Sequence, residues 1–186
     1  MRVTAVHQAG TFDPLFFRSP IDLSDVWPGY NALIEHDPIK VTTIGPGLAD
    51  SWTVSRDGTT FTFKLHPGVK FHDGQAFTSA DVKYTYEAIL NPPAGNMSRR
   101  KPALQAVESI TTPDALTVVI KNKYASASFL SGIASIPIVP RLAHAKGPFV
   151  DKVIGTGPFK LASYTRDVEF VYRRNEDYWR KGLPDL

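Results

Sequence analysis

Residues 47–90, GLADSWTVSRDGTTFTFKLHPGVKFHDGQAFTSADVKYTYEAIL, restrict the fold more than any other part of the chain. Trp52 and Val54 alternate with Ser51, Thr53 and Ser55, and Phe61, Phe63 and Leu65 alternate with Thr60, Thr62 and Lys64. Alternation with a period of two marks a half-buried strand, and Asp57-Gly58 between the runs marks a turn. The pattern predicts a hairpin with one apolar face. After the turn-rich His66-Pro67-Gly68 and a polar loop around His72-Asp73-Gly74, Thr78 precedes Ser79-Ala80-Asp81. Its hydroxyl can cap the backbone N–H groups that open a helix, with Asp81 in the place of the capping-box acid. Val82, Tyr86 and Leu90 then recur every four residues, and Ile89 widens the stripe. Such a stripe needs an apolar surface to pack on, and the nearest is the hairpin.

The remaining segments are placed around this unit. Residues 2–7 read as a short strand and residues 10–20 as an irregular connection in which Asp13-Pro14 starts a turn. Phe12, Leu15, Phe16 and Phe17 crowd that connection, either packed in a core or lining a cleft. Over residues 22–35 the apolar positions Leu23, Val26, Trp27, Tyr30, Leu33 and Ile34 recur at helical spacing, interrupted by Pro28, so the helix starts near Pro28 or bends there. Residues 91–96, Asn-Pro-Pro-Ala-Gly-Asn, break the chain. A second hairpin follows, with Val107, Ser109 and Thr111 alternating with Glu108 and Ile110, a turn at Pro113-Asp114, and Leu116, Val118 and Ile120 beyond it. Phe129, Leu130 and Ile133 suggest a short helix entered through Ser126 or Ser128. Residues 136–140 are extended, because proline disfavours helix at itself and just before itself. Phe159, Leu161 and Ser163, then Val168, Phe170 and Tyr172, flank Arg166-Asp167 as a third hairpin.

The chemistry-bearing residues exclude several functions. The chain of 186 residues carries 21 Lys and Arg against 18 Asp and Glu, a net charge of +3. Its basic residues are scattered and do not interleave with aromatic ones as a nucleic-acid platform requires. With 42% hydrophobic and 21% charged residues it has the composition of a folded domain. No cysteine is present, which removes disulfides, thiolate metal sites and a cysteine nucleophile. Gly155-Thr156-Gly157 is followed by Pro158 and a strand pattern, with Lys160 where a third glycine would stand, so no helix N-terminus is available for a pyrophosphate. His66, His72 and Asp73 have no helical spacing and no third ligand nearby, and loop histidines beside glycine are common on surfaces. No Gly-x-Ser-x-Gly elbow pairs a serine with a base, so no enzyme is expected. Arg99-Arg100-Lys101 is either a solvated patch or a place where a base meets an anionic ligand group.

Leu48-Ala49-Asp50-Ser51-Trp52, Asp57-Gly58, Phe61-Thr62-Phe63-Lys64-Leu65, residues 68–74 and Ser79-Ala80-Asp81-Val82 together resemble the family 5 extracellular solute-binding proteins. So do Gly155-Thr156-Gly157-Pro158-Phe159 and Asn175-Glu176-Asp177-Tyr178-Trp179, which differ by Phe159 for the family's usual Tyr. His66 stands where the family has Arg, and Leu15 where a His often follows the Asp-Pro. These proteins are the dipeptide-, oligopeptide- and nickel-binding components of ABC importers. The resemblance implies an α/β lobe of the class II periplasmic binding protein type, with mixed sheets, hairpins and helices. Residues 1–46 and 150–186 would form its ligand-facing subdomain and residues 47–149 the smaller one, with the second lobe absent.

It further implies capture of a peptide or similar small solute and its delivery to a membrane permease, without chemistry on the solute; from the residues themselves no cofactor and no metal site is expected. The protein would work in the periplasm or outside the cell, associated with the membrane, its export signal removed or left out. In peptide-binding members an extended ligand pairs with backbone after the Asp-Pro, here at Phe17, Arg18, Ser19 and Pro20. In the nickel-binding members a base in the stretch matching Arg99 and Arg100 meets an anionic ligand. Apolar surface left by the missing lobe implies self-association. The other reading is an interaction module that keeps the lobe for docking to protein, which a stop codon after Leu186 in the parent reading frame would favour.

Overall fold

The computed structural model describes residues 2–4, 11–17, 20–37, 39–40, 42–166 and 168–185. Its elements in chain order are β1 (Arg2–Thr4), α1 (Pro20–Val26), a 3-10 turn (Trp27–Gly29), β2 (Ile34–His36), β3 (Ile44–Pro46), β4 (Ala49–Val54), β5 (Thr60–Leu65), α2 (Ser79–Leu90), α3 (Lys101–Leu104), β6 (Val107–Asp114), β7 (Thr117–Asn122), α4 (Phe129–Ile133), α5 (Arg141–His144), β8 (Phe159–Thr165) and β9 (Glu169–Arg174). Three sheets result, ordered β1-β9-β8, β2-β3 and β4-β5-β7-β6. All their pairings are antiparallel. One contiguous cluster of buried apolar side chains runs from Phe12 and Phe170 to Phe63 and Ile110.

The first hairpin forms as the alternation predicts, with Trp52 opposite Phe63 and Val54 opposite Phe61. Its two strands are unequal. β5 buries Phe61, Phe63 and Leu65, whereas β4 is the sheet edge and leaves Val54 exposed and Trp52 half-buried. The Asp81 carboxylate accepts the Thr78 N–H at 2.9 Å, the arm of a capping box that reaches back to the N-cap, and also accepts the Thr78 hydroxyl at 3.0 Å. Its other oxygen accepts the Arg141 N–H at 2.9 Å, so one side chain starts both α2 and α5. Val82, Tyr86 and Ile89 are buried. α2 lies closest to β6 and β7 rather than to the first hairpin. Ser79 Oγ donates to Asp114 O and Lys83 Nζ to Ile110 O, which ties the helix to β6.

Three sequence expectations are corrected. The helical spacing over residues 22–35 does not continue through Pro28: α1 ends at Val26, and a 3-10 turn takes the proline, whose missing N–H and ring crowd a regular turn. Ile34 opens β2 instead, and Leu33, in a bend just before it, accepts the Ala49 N–H on its carbonyl at 2.8 Å. β6 buries Val107 and Ile110, three apart, because a bulge between Val107 and Ser109 shifts the register and breaks the period-two pattern. A like irregularity between Leu161 and Ser163 puts Tyr164 opposite Phe170, where it packs at 4.6 Å between ring centroids. Residues 5–7 of the expected first strand, and Asp167 of the third turn, lie outside the described residues. Phe12, Leu15, Phe16 and Phe17 are all buried.

At Gly29, Gly155 and Gly157 two stretches of backbone cross in contact. Gly157 N–H donates to Gly29 O at 3.0 Å, and a Cβ on Gly155 would lie 2.1 Å from that same oxygen. His72 holds the crossing from the other side: its Nε2 meets Gly157 O at 3.0 Å and its Nδ1 accepts the Gly155 N–H at 3.5 Å. Burial pushes the His72 pKa below its usual 6.5, against the opposing pull of the Gly157 carbonyl, so the fold prefers the neutral ring. The stability from that preference is full above the unfolded value of about 6.5 and is lost as pH falls through the lower folded value. Thermal melts between pH 8 and 5 should therefore show a destabilisation on acidification that is smaller in His72→Gln, which keeps a donor for Gly157 O. Parallel curves for the two proteins would refute this role.

Candidate functional site

The segment of residues 11–17 is irregular yet tightly fixed. Asp13 accepts the Leu15 N–H at 2.9 Å, closing a side-chain turn over Pro14. Ser98, in the loop after α2, donates from Oγ to Leu15 O at 2.7 Å. Two residues on, the Phe17 ring carries the Arg100 guanidinium at 5.4 Å from its centroid. Arg100 Nη1 donates to Ser135 Oγ at 2.6 Å, and Ser98 Oγ accepts the Arg100 N–H at 3.3 Å.

Around these residues the surface is concave on two sides. An open cavity of about 620 Å³ is lined by Phe16, Phe17, Asn96, Met97 and Arg99. Met97, on its rim, is 84% exposed, unusual for a large apolar side chain. Past Arg100, Ser135 lines a second cavity of about 460 Å³ together with Trp27, Asn31, Glu35, Tyr178 and Arg180. Asn31 organises that wall: its amide donates to Glu35 Oε1 at 2.9 Å and to Tyr178 Oη at 3.2 Å, and its Oδ1 accepts from Trp179 Nε1 at 3.2 Å. Arg180 pairs with Glu35 at 2.9 Å and lies over Trp179 at 4.6 Å.

Arg100 stands apart electrostatically. Burial lowers its pKa below the ordinary arginine value, but a guanidinium stays charged in proteins. Its Nε is buried without a hydrogen-bond partner, and among the described residues it has no carboxylate partner, unlike Arg180 and Arg174. A half-buried cation on an aromatic face is suited to an incoming carboxylate.

Of the residues singled out in sequence, Phe17, Arg99 and Arg100 come together here. Pro20 opens α1, and Arg18 and Ser19 lie outside the described residues. Ser98 and Ser135 escaped sequence reasoning, because a serine in an unpatterned loop carries no local signal. His66 pairs with Asp50 at 2.7 Å and packs on Trp179 at 5.0 Å, while Asp73 turns back on the Gln75 N–H. Among the described residues no three His, Asp or Glu side chains gather as a metal site would need.

The sequence pattern of the bacterial extracellular solute-binding proteins, family 5 Middle, matches residues 43–186. The chain belongs to this family. Among family 5 relatives, the glutathione-binding protein GsiB of Pectobacterium atrosepticum is 35% identical over 143 residues, 75% of this chain and 27% of its own length. Di/tripeptide-binding protein 2 of Pseudomonas aeruginosa is 35% identical over 94% of this chain and 37% of its own length. The chain therefore spans about a third of such relatives. In structure it superposes on AgaA from A. tumefaciens R10, solved with agropinic acid, with a TM-score of 0.87 and 33% identity, covering 97% of this chain and 37% of that one. NikZ from Campylobacter jejuni, solved with Ni(L-His), gives 0.80 and 25% identity over 95% of this chain and 35% of that one. The fold is accordingly the α/β periplasmic binding protein lobe of family 5, built of antiparallel sheets and helices. No helix among the described residues is long and apolar enough to cross a membrane.

Proposed function

We propose that these residues are the first lobe of the solute-binding component of an ABC importer, which captures a peptide or similar small solute bearing a carboxylate. Arg100 carries the proposal: a guanidinium stacked on Phe17, braced by Ser135, with no carboxylate of the described residues to neutralise it. Glutathione, a di- or tripeptide, agropinic acid and L-His, the ligands named for similar proteins, each carry at least one carboxylate. In this reading Arg100 takes that group, Arg99 adds charge at the mouth, and backbone over residues 17–20 pairs with an extended ligand. Residues 1–46 and 150–186 form the ligand-facing part and residues 47–149 the smaller part.

Function follows without chemistry on the solute. A second lobe closes over it, water leaves, and a permease recognises the closed form, so capture and release are shifts between open and closed populations. Such a protein acts on the outer face of the membrane and is no enzyme. The lone lobe exposes Met97 and the cavity it rims, surface that favours self-association.

Calorimetry on the full-length protein with trialanine and glutathione tests the reading. Arg100→Ala should weaken binding at least tenfold, about 1.4 kcal/mol, and Arg100→Lys should recover part of the loss, because charge returns without the planar stack. Trialanine amide, which lacks the carboxylate, should be indifferent to both changes. Failure of the unaltered protein to bind either acid would overturn the proposal.

A further inference from the structure

Three groups beneath the solute face form a chain of hydrogen bonds that the proposed capture does not itself use. Tyr84 Oη, on α2, lies 2.9 Å from His144 Nδ1, and His144 Nε2, on α5, lies 2.9 Å from Asp13 Oδ2. A carboxylate only accepts, so a neutral His144 carries its proton on Nε2 and accepts the phenol hydrogen on Nδ1. The side chain of Asp13 is fully buried and that of His144 5% exposed. The Phe16 and Phe149 rings enclose the imidazole, at 6.0 and 5.2 Å between centroids.

A buried polar network of this kind contributes little that apolar side chains of the same volume would not; what it adds is direction. Asp13 receives His144 on one oxygen, which also takes the Phe149 N–H at 3.3 Å, and fixes the Leu15 N–H with the other. Ser98 fixes Leu15 O from the opposite side. Leu15 is thus held at both its backbone groups, and two residues later the chain delivers Phe17 to Arg100. The Arg100 N–H meets the same Ser98 hydroxyl that holds Leu15. Aromatic ring and cation are therefore aligned by one pair of anchors.

We infer that His144, acting through Asp13, is a positioning residue of the solute site: it sets the backbone at Leu15 and so the stacking of Arg100 on Phe17. This rests on the capture reading above, with the solute bound at Arg100. His144 touches no solute, so its loss should disorder the approach to the site while leaving the sheets intact.

The experiment uses the full-length protein, its His144→Ala, His144→Gln and Tyr84→Phe forms, and Arg100→Ala as reference. Affinity is measured by calorimetry for whichever of glutathione, trialanine and agropinic acid the unaltered protein binds tightest, and amide hydrogen exchange is followed by mass spectrometry. His144→Ala should weaken binding at least fivefold and speed exchange over residues 11–17 tenfold or more, with exchange in β5 and β7 unchanged. His144→Gln, whose amide can still donate to Asp13, should recover most of both. Should His144→Ala not fold, Tyr84→Phe removes a single hydroxyl and should still speed exchange over residues 11–17 and weaken binding about twofold. A His144→Ala or Tyr84→Phe protein that melts lower yet binds and exchanges over 11–17 as before would overturn the inference and leave a structural role. If Arg100→Ala also binds normally, or the unaltered protein binds none of the three, the capture reading fails and the inference with it; weakening by Arg100→Ala alone sinks only the inference.

Discussion

Phe63→Ala should cost the lobe about 3–5 kcal/mol, the range for deleting a buried ring. Phe63 is fully buried in the centre of the four-stranded sheet, with Trp52 opposite on β4 and Val118 opposite on β7. Its ring sits 6.5 Å from that of Trp52, and it shares one cluster with Tyr86 of α2. No neighbour can close the void, because strands bound it on both sides. A domain is stable by only about 5–15 kcal/mol, so much of the protein should be lost to the insoluble fraction. Urea denaturation measures the effect. Phe63→Leu should cost about 1–2 kcal/mol, being closer in volume, and a Phe63→Ala midpoint equal to the parent's would show that the ring is not packed as described.

Gly155→Ala should be nearly as severe, for the opposite reason. An added Cβ would stand 2.1 Å from Gly29 O and 3.0 Å from Gly29 C, backbone atoms that cannot swing away, and 2.5 Å from Tyr30 Cδ1. Overpacking of this kind costs about 1–3 kcal/mol and more where backbone must move. The control is Gly45→Ala, where nothing lies within 4 Å of the new carbon. There the lost freedom of the unfolded chain should leave stability unchanged or raise it by about 0.4–1 kcal/mol. Equal melting temperatures for the two variants would mean that the crossing tolerates a methyl group and that its tightness has no energetic weight.

What could be read in sequence follows how local its cause is. Asp57-Gly58, the alternation through Phe61, Phe63 and Leu65, and the Thr78 to Asp81 box act over a handful of residues, and each appears where its pattern stands. Leu33 and Ile34 misled because their partners, Ala49 and Pro46, lie far along the chain, and pairing across that distance overrode a helical spacing that Pro28 had already weakened. α5 has four residues and no apolar stripe, and it owes its start to a carboxylate sixty residues earlier. Trp52 and Val54 carried the right period but not the burial, since periodicity cannot distinguish an edge strand from a central one. The candidate site was half legible. Arg100 stood out as a base in a Pro/Gly-rich stretch, but Ser98, Ser135 and His144 acquire meaning only from what the fold brings within 3 Å of them.

The three-stranded sheet has a consequence for how the chain reaches this state. β1, at residues 2–4, pairs with β9, at residues 169–174, so its hydrogen bonds close a loop of nearly the whole chain. The sheet of β4, β5, β6 and β7 with its helix is drawn from one contiguous stretch, residues 49–122. Closing a long loop loses more chain entropy before any contact rewards it. The contiguous sheet should therefore assemble first, and β1 should join β9 last, only after the backbone crossing at Gly155 has docked. Pulse-labelled exchange during refolding would reveal this as protection in β5 and β7 that precedes protection in β9. A ribosome-bound chain halted before residue 169 would hold the four-stranded sheet and lack the seam between β1 and β9.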